Sequence, residues 1–443
     1  MIKVVLFFLS LSILIVLHEF GHFITARLFK MRVKKFYLFF DFLFPLSNVF
    51  NFALFKKKVG NTEYGIGWFP FGGYVDIHGM QAEENADPNE KPAHDEFRAK
   101  KPWQRLIVLA GGISVNYLLA IVIFSMLVWK NGIEHLPAAN AKYGVYCDSV
   151  LLDHGMQHGD RIVSIDGKPL EYLDLASKQI LLDASTTIEV ERNGQMKTIT
   201  LPAKFAEGVI DKDVKMLMIE RVPFVVDSIP DNSVAAKAGM MKGDSIVAVG
   251  NDSTSAYYQE CAAVFAQNIN KKVSVVVMRK GQLVPLSLPI DKDGKIGVYA
   301  KTPNKFLKYQ TEEFGFFASW GEGFLVTWDK MKSYVKQLKF LFTKAGARKI
   351  SGFAGIANLF PSEWDWTAFW SLTAFISVVL AFMNLLPIPA LDGGYILFVL
   401  WEMVTGKKVS DKFMNRALSI GMYIILGLLI YANGNDILRA FKH

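Results

Sequence analysis

The chain has 443 residues, of which 51% are hydrophobic, and its mean hydropathy is +0.25. That is too apolar for an ordinary soluble protein and too polar for a bare bundle of spans, so a few membrane helices with a sizeable soluble part are expected. The formal net charge is +8, but the basic residues cluster beside apolar runs with no basic-aromatic motif, which argues against nucleic acid as a partner and makes them topology signals.

The first predicted element is a span over 1–30, with an apolar core from Val4 to Leu28. Its start, Lys3 followed by an apolar run, imitates a signal peptide. No small-residue cleavage site follows the run, so a retained signal-anchor is expected. Inside it stands His18-Glu19-Phe20-Gly21-His22. Two imidazoles four residues apart share one helix face and can hold one zinc ion, while Glu19 is placed to take a proton from a water that the ion activates.

Residues 31–104 form a connecting loop, and Glu63 to Ile77 within it is rich in aromatics and paired glycines. That composition predicts a β-hairpin, with Gly72 and Gly73 allowing close backbone approach before Tyr74. A second span covers 105–130, its core from Leu106 to Trp129 free of charged residues. Asn116 in that core either faces a site or joins helices by hydrogen bonding.

The segment from about 130 to 367 holds an internal repeat at an offset of 84 residues. Gly155-Met156 and Gly159 to Gly167 match Gly239-Met240 and Gly243 to Asn251. The repeat resembles tandem PDZ domains over 140–205 and 222–292, modules that bind extended peptides by strand addition. A helical region follows over 306–345, where Phe324, Trp328, Met331 and Val335 recur at helical spacing among lysines. It either lies on the outer face of a bilayer or packs on the repeats.

A third span is predicted over 368–400 and a fourth over 414–432. The basic sets Arg27 to Lys35, Lys100 to Arg105 and Lys407 to Arg416 then share one side, which is cytoplasmic, and both termini and the repeats lie outside. His18 sits about 21 Å below Val4 at about 1.5 Å per residue, in the cytoplasmic third of the bilayer. Catalytic zinc sites usually carry three protein ligands. The best third ligand is Asp392, at the end of Asn384-Leu385-Leu386-Pro387-Ile388-Pro389-Ala390-Leu391-Asp392-Gly393-Gly394. An acidic group at that depth is costly without a partner, and the prolines interrupt the helix there. The two cysteines, Cys147 and Cys261, have no metal or disulfide spacing and are read as unpaired thiols.

H-E-F-G-H in the first span, together with N-x-x-P-x-P-x-L-D-G-G in a late one, resembles the site-2 protease family of intramembrane zinc metalloproteases, over essentially the whole chain. The resemblance implies a multi-pass α-helical membrane protein with four transmembrane helices, a membrane-associated β-hairpin region and two periplasmic PDZ-like domains. It implies that His18, His22 and Asp392 bind Zn2+, that Glu19 is the general base, and that Asn384, Pro387 and Pro389 shape the substrate path. Residues 63–77 would be a re-entrant loop whose edge, around Gly72, Gly73 and Tyr74, pairs with an unwound substrate, and Asn116 would lie near it. Asn384 either holds that substrate or joins helices. Gly112 and Phe353 stand where relatives usually carry proline. The implied substrates are single-span membrane proteins, such as an anti-sigma factor, or leftover signal peptides, in the lipid bilayer of a bacterial inner membrane. The rivals are a catalytically inactive PDZ scaffold and a proton or metal transporter. The intact ligand set argues against the first. Glu19 and the lack of an inverted repeat of spans argue against the second.

Overall fold

A computed structural model describes residues 2–41, 51–70, 72–80, 92–212, 214, 216–250 and 256–442. Phe71 of the predicted hairpin and Asn251 of the second repeat lie outside the described residues. The chain forms two compact units, one of 1–132, 313–339 and 348–443, the other of 133–312 and 340–347.

The first unit is built on helices α1 (Ile2–Leu28), α2 (Pro102–Asn131), α3 (Phe316–Leu341), α4 (Phe353–Asn358), α5 (Trp366–Leu385), α6 (Asp392–Thr405) and α7 (Asp411–Lys442). Four of these, α1, α2, α5 and α7, are long and apolar enough to cross a membrane. A helix satisfies its backbone polar groups internally, which a lipid surround requires. Helix α2 starts at Pro102, where a missing N–H costs nothing, and the Gln104 side chain accepts the Lys101 N–H. It packs against α1, α5 and α6. Where α1 crosses α2, a Cβ added to Gly21 would run into the backbone of Gly111, so the two main chains touch. Polar groups join the helices elsewhere. Thr373 donates to Ser10 at 2.9 Å, Ser377 donates to the Asn116 carbonyl at 2.7 Å, and Arg105 meets Glu402 at 2.6 Å.

The segment 368–400 is two helices, broken where the prolines interrupt it: Pro387 and Pro389 cannot donate backbone N–H, and Ala390 takes a positive φ of 81°. One expectation changes here: Glu63 to Ile77 does not form a hairpin. Strands β1 (Val33–Leu38), β2 (Ala53–Val59), β3 (Thr62–Gly67) and β4 (Tyr74–Ile77) form a sheet in the order β2-β3-β1-β4. β1 lies between β3 and β4, parallel to the first and antiparallel to the second. Lys34 and Lys35 give β1 the look of a basic linker, but Val33 and Tyr37 carry it into the core. The hairpin that forms is β2–β3, turning at Gly60-Asn61.

The second unit contains two similarly built halves with separate cores. Val145, Leu151, Ile162, Ile188 and Val190 fill the first, and Val226, Ile246, Val273, Val275 and Val277 fill the second. A short helix, Ser149–Leu152 or Val234–Lys237, precedes strands Arg161–Ile165 and Ser245–Val249. Each of these pairs with a long strand, Thr187–Arg192 or Lys272–Arg279, which continues through a two-residue turn into the next. The first half extends past residue 205, since Met218–Glu220 pairs with Val145–Cys147. Each half also holds a buried ion pair. Asp160 receives Arg192 at 2.7 and 2.6 Å, and Asp244 receives Arg279 at 2.8 and 2.7 Å. The same arginines donate to the Gly155 and Gly239 carbonyls. Cys147 and Cys261 are buried, and burial pushes both thiols up to about 12.

Candidate metal centre

His18 and His22 leave one face of α1 a single turn apart, and Asp392 opens α6 directly after the proline-broken stretch. Asp392 Oδ2 lies 3.2 Å from His18 Nε2 and 3.3 Å from His22 Nε2, and the two Nε2 atoms are 3.3 Å apart. The triangle is nearly equilateral. A tetrahedral ion with bonds of about 2.0–2.1 Å sets its ligand atoms roughly 3.3–3.4 Å apart, so the three donors have the dimensions of such a ligand set. The groups also lack another explanation. Asp392 Oδ2 is buried with no hydrogen-bond donor. His22 Nδ1 lies 2.9 Å from the Val108 carbonyl, which can only accept, so Nδ1 carries the proton and Nε2 presents a lone pair. Among the described residues this is the one cluster of three such side chains placed to hold a metal.

Glu19 stands beside the triangle, and its carboxylate accepts the Val75 N–H of β4. The sheet therefore reaches the centre through its β4 edge. Gly73 lies against α1, where a Cβ would come within 2.7 Å of Ile15 Cγ2 and of the Tyr37 carbonyl oxygen. Gly72 faces the Phe40 ring instead. Tyr74 stacks on Tyr37 at 5.3 Å and donates to Asp41 at 2.9 Å, so its hydroxyl is engaged within the sheet.

The broken stretch places Asn384 half-buried with its carboxamide unpartnered among the described residues, Pro387 exposed and Pro389 half-buried. Asn116 is fully buried behind the histidines, its amide nitrogen 3.3 Å from His18 Nδ1. Two further contributors escape the sequence reading as parts of the centre. Val108 acts through its carbonyl. Gly112 acts through its lack of a side chain, since a Cβ there would come within 2.5 Å of His22 Nε2 and 2.6 Å of His18 Cε1. Val108, Gly112 and Asn116 are spaced by four, one face of α2, and that spacing was the available signal.

The profile of peptidase family M50 matches residues 6–428. The regulator of sigma-E protease RseP of Escherichia coli (strain K12) is 29% identical over 461 residues, covering 98% of each chain. RseP of Salmonella typhimurium (strain 14028s) is 29% identical over 460 residues with the same coverage. A chain of Neisseria meningitidis serogroup A, whose name places it among zinc metalloproteases, is 27% identical over 456 residues, again covering 98% of each.

Proposed function

We propose, from the premise that this chain belongs to peptidase family M50, that it is a zinc-dependent endopeptidase that cuts transmembrane segments of single-span proteins within the bilayer. The observation that carries this reading is the Nε2, Nε2, Oδ2 triangle beside a carboxylate, set in a helix of membrane-spanning character. His18, His22 and Asp392 would hold the ion, which supplies Lewis acidity towards a peptide carbonyl and towards water. Glu19 takes up the proton of the attacking water and later returns one to the leaving amine. The Val75 N–H that Glu19 accepts fixes the carboxylate in place. A helical substrate hides its peptide groups, so it must be unwound to be cut. The β4 edge beside Glu19 supports a route in which the unwound strand adds to the sheet around Gly72 to Tyr74. Asn384, with its amide uncommitted, would bind that strand, and Pro387 and Pro389 would keep the approach to Asp392 open.

In this reading the chain resides in a bacterial inner membrane, with the centre towards the cytoplasm and the two repeats, as PDZ-like domains, in the periplasm. The relatives named for regulation of sigma-E support an anti-sigma factor as substrate, with remnant signal peptides as a second class. The test is cleavage of a tagged single-span substrate in detergent. Glu19→Gln is expected to lower cleavage on the order of 10²–10⁴-fold while zinc stays bound. Full cleavage by this variant would remove Glu19 from the mechanism.

A further inference from the structure

A cavity of about 90 Å³ lies where the turn Phe97–Ala99, the first turn of α2, the later turns of α6 and the linker to α7 meet. Arg98, Arg105 and Lys408 line it against one carboxylate, Glu402, so its wall carries two positive charges in excess. The Arg105 side chain is only 9% exposed. Its Nη2 meets Glu402 at 2.6 Å, but its Nε is buried and has no hydrogen-bond partner among the described residues. Arg98 Nε is buried and unpartnered in the same way. A guanidinium is a planar fork of five donors, and one carboxylate oxygen at one nitrogen leaves most of them over. Two buried N–H groups without acceptors beside one cavity are costly unless an anion fills it, and phosphate oxygens match the fork.

The rest of the wall is mostly apolar, with Phe97, Phe398 and Val399 among it. Met80, Tyr395 and Met414 are shared with a second cavity of about 500 Å³, which continues past Leu418 and Met422 of α7 to Val75 of β4. A cationic cavity therefore opens into a larger one walled by thioether and aliphatic side chains. The pair stands at the level of Lys100, Lys101 and Lys407, and basic residues at the ends of spans mark the headgroup layer. Basic pockets between membrane helices at that level take acidic headgroups.

We propose that these two cavities bind one acidic phospholipid, its phosphodiester on Arg98, Arg105 and Lys408 and an acyl chain along Leu418 and Met422. A free phosphate satisfies the arginines and leaves the second cavity unfilled. The chain's own acidic segment, with Glu83, Glu84, Asp87 and Glu90, is the other rival, but residues 81–91 contain no large apolar side chain to fill that cavity. Val75 borders the acyl cavity and the β4 edge alike. On the proposed reading of that edge the lipid leaves before a substrate strand adds, while its binding is measured without cleavage and stands apart from that reading.

The experiment is native mass spectrometry of the full chain in detergent, titrated with phosphatidylglycerol, with phosphatidylcholine and with inorganic phosphate. Arg98→Gln combined with Lys408→Gln leaves the Arg105–Glu402 pair in place and is expected to weaken phosphatidylglycerol binding on the order of thirtyfold, with little change for phosphatidylcholine. Leu418→Trp, which fills the acyl cavity and keeps the cations, is expected to weaken phosphatidylglycerol severalfold and leave inorganic phosphate as it was. Inorganic phosphate, lacking a chain to bury, is expected to bind at least about a hundredfold more weakly than the lipid. Lys204→Gln with Lys271→Gln, both exposed in the second unit, controls for net charge and is expected to change nothing. No loss in the double variant or in Leu418→Trp, or an equal loss in the charge control, would overturn the proposal. Inorganic phosphate binding as tightly as the lipid would give the cavity to a free anion instead. A tenfold rise in phosphatidylglycerol binding on neutralising the four acidic residues, seen in the parent and absent from the double variant, would give it to the chain's own segment.

Discussion

At the scale of single residues, the centre depends on which nitrogen of each histidine carries a proton. The Val108 carbonyl settles this for His22. For His18 to offer Nε2 to a metal, its Nδ1 must carry the proton and find an acceptor. Asn116 is the group at that position, yet its Oδ1 is buried without a partner while its amide nitrogen faces Nδ1. A half-turn of the carboxamide satisfies both groups, because carbonyl oxygen and amide nitrogen are nearly the same shape. Asn116 is then a positioning residue for His18. Asn116→Ala is expected to lower zinc affinity about 10–100-fold, measured by competition with a chelator. Asn116→Asp, which keeps an acceptor, is expected to retain most of it, and equal affinity in Asn116→Ala and the parent would remove this role. The histidine pair and Asp392 are legible in sequence because the chemistry sits in side chains with a recognisable spacing. The Val108 contribution is not legible, since every residue has a carbonyl and only the helix crossing decides which one is used.

At the scale of elements, close approach and buried charge do most of the positioning. Gly112 makes room for both imidazoles. Gly112→Ala is expected to displace them and reduce bound zinc to a small fraction of parent content by elemental analysis, whereas Gly427→Ala, at a position with open space around it, is expected to leave zinc unchanged. In the second unit, Asp244 is fully buried. Burial pushes its carboxyl up, but the Arg279 guanidinium and the Met241 N–H more than offset that, and the net direction is down from 3.8. The contribution of the pair is therefore full above about pH 4 and lost as pH falls through the lowered folded value. Asp244→Asn leaves Arg279 without its counter-charge and is expected to cost about 3–5 kcal/mol, read as lost hydrogen-exchange protection over 245–249 at neutral pH. The glycine and aspartate repeats are visible in sequence. The arginines are visible only when Arg192-Asn193-Gly194 is set beside Arg279-Lys280-Gly281, where each turn takes positive φ at both of its last two residues. The sheet of the first unit was less legible. One of its two inner strands, β1, is short, begins next to a span and carries two lysines, so local composition conceals the pairing that sequence-distant strands impose.

At the scale of the whole molecule, the four long apolar helices follow from hydropathy alone, since lipid allows few other structures. The break after α5 follows less completely. Two prolines announce it, but that α6 resumes with Asp392 as its first residue depends on how Gly393 and Gly394 lie against the Leu386 and Ile388 carbonyls. If the two repeats limit which substrates reach the centre, deleting 140–292 is expected to increase cleavage of substrates with untrimmed outer domains relative to trimmed ones. An unchanged ratio on gel assay would assign the repeats some other task. The triangle of donors has a further consequence. Two of its corners are made when the first helix emerges from the ribosome, and the third is more than 360 residues later, at Asp392. A chain still in synthesis holds an incomplete donor set until Asp392 has been added. Hydrolytic capacity is thereby withheld until the late helices have been made and have docked, a safeguard written into the order of residues along the chain.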